Sequence, residues 1–179
     1  LGVVQPAANA AVQATKSGNI GIIGTKATIR SGAYEASIRA LLPEAKLTAK
    51  ACPLLVPLVE DGRVRRGDFV TERVVEEYLS PVKAAGVDTL VLGCTHYPLL
   101  ADVISDYMGA GVTLIDTGEQ AALAAAALLG EQGRLNDASR AGERRYYASD
   151  SAADFAATAS LYLGADISGL VERVAIENY

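Results

Sequence analysis

The chain has no tryptophan, one histidine, two phenylalanines and two cysteines, and each scarcity removes a class of chemistry. One histidine and two distant cysteines, Cys52 and Cys94, lie outside any CxxC spacing, so no four-ligand metal site is expected. The two thiols could close one disulfide at most, which fits a reducing compartment. With eight tyrosines and two phenylalanines as its only aromatics, the chain offers no evident stacking platform for single strands. Positive charge is in deficit: 16 Lys and Arg against 21 Asp and Glu give a net charge of -5 and a pI near 4.9. Non-specific phosphate binding needs clustered cations, and the group Arg63, Arg65, Arg66 is too small to supply them, so no nucleic-acid partner is expected. Long apolar runs are missing too. Stretches such as Ala121 to Leu129 fall far short of the ~20 residues that cross a bilayer, and no charged leader precedes an apolar run at the start. The expectation is a cytoplasmic protein with no membrane partner.

What is present is 50% hydrophobic content over 179 residues, enough for one sizeable core or two small ones. Strand-like and helix-like segments alternate over short connections, the pattern of an α/β fold with a parallel sheet and flanking helices. The expected helices are Pro6 to Lys16, Ser31 to Leu42 with Ser31 as cap, Phe69 to Ala85 with Pro81 kinking or splitting it, Pro98 to Met108, an alanine-rich helix to about Leu129, and Ala152 to Leu163. The expected strands are Ile20 to Ile23, Lys46 to Ala51, Asp88 to Leu92, Val112 to Ile115, Arg145 to Ala148 and Val171 to Ile176. Cys52 to Gly62 holds two prolines and reads as an ordered apolar loop, and Gln132 to Gly142 as a polar one. Residues 1 to 116 look self-contained. Residues 117 to 179 offer few strands for a sheet of their own and would need something else to pack on.

The run Leu90-Val91-Leu92-Gly93-Cys94-Thr95-His96-Tyr97-Pro98 carries the chemistry, because a buried strand ends there on a thiol, a hydroxyl and the single histidine. Ligands of open α/β sheets gather beyond the carboxyl ends of the strands. Backbone N-H groups at the helix start after Cys94 are expected to favour its thiolate. A free cysteine with a pKa of roughly 8.5 is only about 3% ionised at pH 7, so a modest fall would matter for proton transfer. Thr25 and Thr28 follow a strand and precede a helix, where they serve either as caps or as carboxylate ligands. Gly18-Asn19-Ile20-Gly21-Ile22-Ile23-Gly24 has the wrong spacing for a dinucleotide fingerprint, and its glycines flank the strand instead of following it. Cys52 reads as a small buried hydrophobe. Glu60 is an ordinary solvated carboxylate unless the fold brings it to His96. A Cys/His hydrolase using Cys94 and His96 stays open at this stage.

Taken together, Gly24 to Thr28, Ala51 to Glu60, Leu92 to Pro98 and Leu114 to Gly118 resemble the glutamate racemase family in order and spacing. The resemblance implies interconversion of L- and D-glutamate for peptidoglycan synthesis, with glutamate as the small-molecule partner and neither metal nor pyridoxal phosphate. It implies Cys94 as one of two acid/base cysteines, Thr95 and His96 binding or orienting substrate, Glu60 supporting His96, and Thr25 and Thr28 lining the pocket. It also allows a homodimer. The family's Asp-Ser-Gly, Pro-Tyr-Gly and Cys-Asn-Thr segments do not occur here, so a missing first third is expected, with residues 117 to 179 as the returning part of the other lobe. That tail is then expected to expose apolar surface, and the polypeptide alone to show little or no racemase activity. Another amino-acid racemase, such as one acting on aspartate, a thiol hydrolase and a non-enzymatic binding remnant remain the rivals.

Overall fold

The computed structural model describes residues 1–137 and 142–176. The chain divides into two compact units, Leu1–Leu135 and Asn136–Tyr179. The first is an α/β unit in the order α1 (Val4–Ala14), β1 (Asn19–Gly24), α2 (Lys26–Ser31), α3 (Ala33–Leu41), β2 (Lys46–Ala51), α4 (Leu55–Glu60), α5 (Phe69–Ala84), β3 (Thr89–Gly93), a 3-10 turn (Tyr97–Leu100), α6 (Ala101–Met108), β4 (Thr113–Asp116) and α7 (Thr117–Glu131). Its four strands are all parallel and lie in the order β2-β1-β3-β4. The second unit holds β5 (Tyr146–Ala148), α8 (Ala152–Leu163) and β6 (Val171–Arg173), with β5 and β6 parallel.

The sheet grows outward from β1, first to β2 on one side and then back across to β3 on the other. Right-handed crossovers therefore put helices on both faces. Strand side chains alternate to match. Ile20, Ile22 and Val91 pack with Ala7, Ala8 and Ala11 of α1 and with Tyr34 and Ile38 of α3. Ile23, Leu90 and Leu92 pack with Val75, Leu79 and Val82 of α5 and with Ile104 of α6. Each large aliphatic side chain buried this way contributes about 1.5–3 kcal/mol. The small residues of α1 let that helix approach the sheet closely.

Four local expectations need correction. The segment expected as a loop contains α4, because Pro57 is its third residue, where a backbone N-H has no partner inside the helix to lose. The helix expected from Ser31 to Leu42 is α3 and starts at Ala33, while Ser31 ends a first helix, α2, that precedes it. Thr25 caps the first by accepting the Thr28 N-H, Gly32 adopts φ +64° between them, and Ser31 donates to the Thr28 carbonyl. Pro81 does not split α5. The Glu77 carbonyl that Pro81 cannot serve receives the Ser80 hydroxyl at 3.4 Å. Part of the expected 132–142 loop, residues 138–141, lies outside the described residues. The closing strand expected over 171–176 stops at Arg173.

The boundary between the two compact units falls after α7. The α7 helix is apolar nearly all round, yet only Thr117 is buried, and Leu123 is 59% exposed. In the second unit Phe155, Leu161, Leu163 and Leu170 are exposed, against a core of Ala148, Ala156 and Ile167. Residues 117–176 therefore do display apolar side chains.

Asp88 ties the start of β3 to the end of α1. Its carboxylate accepts from Thr15 Oγ1 at 2.6 Å, the Lys16 N-H at 2.8 Å and the Ser17 N-H at 2.7 Å. Burial pushes its pKa up, but the hydrogen bonds from Thr15, Ser17 and Lys16 together outweigh that and hold it well below the usual carboxylate range. A depressed folded pKa means stability that is fully present above the unfolded value, about 3.9, and is lost as pH falls below it. Urea unfolding should thus show stability falling below about pH 4, and Asp88→Asn should lower stability at pH 7 and flatten that acid dependence. Equal slopes in the two proteins would rule the carboxylate out as the cause.

Candidate active site

The strand order reverses between β1 and β3, so the crevice beyond their carboxyl ends is the switch point where α/β sheets bind ligands. Gly24 and Gly93 end these strands side by side in register. A Cβ on Gly93 would stand 2.8 Å from the Ile23 carbonyl oxygen, and one on Gly24 would stand 2.9 Å from Thr28 Cγ2. Both positions exclude side chains, and the residue that follows β3 is Cys94.

A cavity of about 400 Å3 opens here, lined by Val3, Val4, Thr28, Ser31, Ala33, Tyr34, Gly93, Cys94, Thr95, Thr117 and Gly118. Of the residues expected from sequence, Thr28, Cys94 and Thr95 line it. Thr25 stands behind Thr28, with the two hydroxyls 3.0 Å apart. His96 and Glu60 are not among its lining residues but are joined to Cys94. Cys94 Sγ lies 3.9 Å from His96 Nδ1, Thr95 Oγ1 3.3 Å from the same nitrogen, and His96 Nε2 3.2 Å from Glu60 Oε1. The formation of α4 is what carries Glu60 to the histidine. If Nε2 carries the proton and donates it to Glu60, Nδ1 is left as an acceptor toward the thiol.

The expected thiolate-favouring surroundings are outweighed. Burial pushes the Cys94 pKa up, and the backbone N-H groups of His96 and Tyr97 only partly offset it. Burial also raises Cys52 to about 12. Cys52 is fully buried in the core on the α5 face, and its carbonyl accepts the Tyr97 hydroxyl at 2.8 Å. It is not part of the cavity. A separate groove of about 350 Å3 between α5 and α6, lined by Phe69, Glu72, Arg73, Glu76, Val103, Asp106 and Tyr107, contains neither thiol nor imidazole.

Sequence reasoning gave no role to Tyr34 or Thr117. Tyr34 sits four residues before Ile38 and reads as ordinary helix core. Thr117 fell inside the Leu114 to Gly118 motif and reads as turn chemistry. Only the meeting of α3, β3 and α7 places them in one wall.

The fold and site place a thiol, an imidazole and several hydroxyls at the switch point of a parallel α/β sheet. The chain belongs to the Asp/Glu/hydantoin racemase family, whose model matches residues 1–126. It is 42% identical over 177 residues to a glutamate racemase from Geobacter metallireducens, a match covering 99% of this chain and 64% of that relative. A glutamate racemase structure from Bacillus anthracis superposes with a TM-score of 0.88 at 36% identity, covering 98% of this chain and 64% of the other. A Francisella tularensis glutamate racemase in complex with D-glutamate matches with a TM-score of 0.85 at 30% identity, over 99% and 64% of the two chains. The chain thus spans 64% of the length of these relatives.

Among the described residues no helix is long and apolar enough to cross a membrane.

Proposed function

We propose that this chain carries one half of a cofactor-independent glutamate racemase centre, with Cys94 as an acid/base for one face of the substrate. The observation that carries the reading is the chain Cys94-His96-Glu60, opening at Cys94 on a cavity at the sheet's switch point. Racemisation removes the α-proton on one face and returns a proton on the other, so it needs groups on both sides. Among the described cavity residues Cys94 is the only thiol, and Cys52 is sealed in the core. The opposing group then comes from a part of the longer relatives that this chain does not match. Residues 117 to 179 are read as completing that other lobe, which accounts for the exposed apolar face of α7.

In this scheme His96 receives or returns the Cys94 proton through Nδ1, and Glu60 orients the ring. Thr95 and Thr28 supply hydroxyls for the carboxylates of glutamate, Thr25 holds the Thr28 hydroxyl from behind, and hydrogen-bond donors around the reacting carbon stabilise its carbanion. The product, D-glutamate, would serve bacterial peptidoglycan synthesis in the cytoplasm, and a homodimer fits the exposed apolar surface.

Two measurements test the proposal. Incubated alone with L-glutamate in heavy water, the chain should leave the α-proton unexchanged by NMR; rapid exchange would contradict the half-site. Joined to the N-terminal segment of the Geobacter relative, it should exchange that proton and form D-glutamate. A folded chimera that binds glutamate without exchange would overturn the racemase reading, and exchange on aspartate in preference to glutamate would reassign the substrate. The Cys94-His96 proximity also suits a thiol hydrolase, which predicts a covalent acyl adduct on Cys94 visible by mass spectrometry.

A further inference from the structure

Tyr97 follows His96 directly, and its ring is fully buried in the same core as Leu55 and Val59 of α4. Its hydroxyl donates to the Cys52 carbonyl at 2.8 Å, a buried hydrogen bond between residues 45 apart in sequence. Burial pushes the phenol pKa up, so the hydrogen stays on the oxygen and Tyr97 stays a donor. The acceptor is a junction. Cys52 follows β2, its N-H donates at 2.9 Å to the Gly24 carbonyl at the end of β1, and its carbonyl also receives the Leu55 N-H at 3.2 Å, where α4 opens. The six residues of α4 then carry the chain about 9 Å, at 1.5 Å per residue, to Glu60. There Glu60 Oε1 meets His96 Nε2 at 3.2 Å. The path is closed: Cys52 through α4 to Glu60, across to His96, one residue on to Tyr97 and back to Cys52.

We propose that Tyr97 is a positioning residue: by tying the root of α4 to the residue after His96, its hydroxyl sets the distance at which Glu60 meets the imidazole. This rests on the role proposed above for the Cys94-His96-Glu60 chain. Glu60 and His96 come from separate segments, and the Glu60 side chain is 56% exposed, so their contact alone holds the two segments together only weakly. The buried bond supplies what the exposed one lacks. If the phenol oxygen is removed, the Cys52 carbonyl keeps the Leu55 N-H, so the tie is cut without orphaning the acceptor or emptying the core. The imidazole is then free to turn from Glu60, and its Nδ1 from the Cys94 sulfur 3.9 Å away. Cys52 serves this arrangement through its backbone, with no call on its thiol.

The chain has one histidine, so the His96 ring gives a single, unambiguous set of nitrogen-proton NMR signals. Tyr97→Phe should speed exchange of the His96 Nε2-H with water by about tenfold or more, toward the rate in Glu60→Ala, where the carboxylate is gone. Tyr97→4-aminophenylalanine keeps a donor at the end of the ring and should restore the parent rate. Val103→Ala truncates the same core but leaves the phenol in place, so it should lower the Tm and leave the exchange unchanged. In the parent the Tyr97 hydroxyl proton should give its own signal, since Tyr97 and Cys52 are both closed to water; its absence overturns the proposal whether or not the Phe variant folds. An unchanged Nε2-H rate in Tyr97→Phe overturns it too, as does a Val103→Ala that moves the rate as far. In the chain joined to the Geobacter N-terminal segment, Tyr97→Phe should cut kcat on glutamate by about tenfold with KM within about twofold. A change in KM alone would count against positioning of the acid-base groups. The exchange measurements use no substrate, so they are decided separately from whether the chimera racemises glutamate.

Discussion

Cys94→Ala is expected to reduce α-proton exchange on glutamate by about a thousandfold or more in the chain joined to a relative's N-terminal segment, with far-UV circular dichroism unchanged. The size of the effect follows from the absence of a substitute. His96 Nδ1 lies 3.9 Å behind the sulfur and outside the cavity lining, and the hydroxyls of Thr95 and Thr28 ionise far too weakly to take a carbon-bound proton. Cys52 is fully buried in the core and does not line the cavity, so it cannot take over. Exchange retained within tenfold would mean that Cys94 is a wall residue and that the acid-base group lies elsewhere.

Gly93→Ala is expected to be the most damaging single methyl group. Its Cβ would meet the Ile23 carbonyl at 2.8 Å, and that oxygen belongs to β1, which is pinned between β2 and β3. Neither strand can yield without breaking pairing, so the cost should be about 2–3 kcal/mol, a fall of about 5–10 °C in the Tm of the main transition. The Tyr34 ring, whose Cε2 would stand 3.1 Å from that Cβ, would be displaced as well. Gly111→Ala is the control: a Cβ there meets nothing within 4 Å, and its effect should stay within about 0.5 kcal/mol. Similar melting temperatures for the two variants would show that the strand ends are not held as tightly as their register implies.

Most of the α/β pattern was legible because burial imposes it on composition. Ile20, Ile22, Ile23 and Leu90 to Leu92 lie on strands covered on both faces, so they form the continuous apolar runs by which such strands are recognised. The errors lie where local rules for proline and capping depend on a residue's position within its element. Pro57 reads as a breaker until it is known to be the third residue of a helix, and Ser31 reads as an N-cap until Gly32 is seen to take the left-handed turn. The ionisation of Cys94 was misjudged for a related reason. The N-H groups expected near the sulfur are there, but how deeply α3 and the 3-10 turn bury it is a tertiary quantity.

The amino-acid sequence by itself determined that the chain is an α/β protein with a thiol, a hydroxyl and an imidazole at one strand exit, because hydrophobic period and the Gly93 break are properties of neighbours along the chain. Only the tertiary structure decided that Glu60 reaches His96 across 36 residues, that Cys52 is sealed in the core and off the cavity, and that Tyr34 and Thr117 line the same cavity as Cys94. The physical reason is that strand order, not spacing in sequence, sets which chain ends share a crevice. By placing β1 beside β3, the sheet brings Thr28 and Cys94 into one cavity.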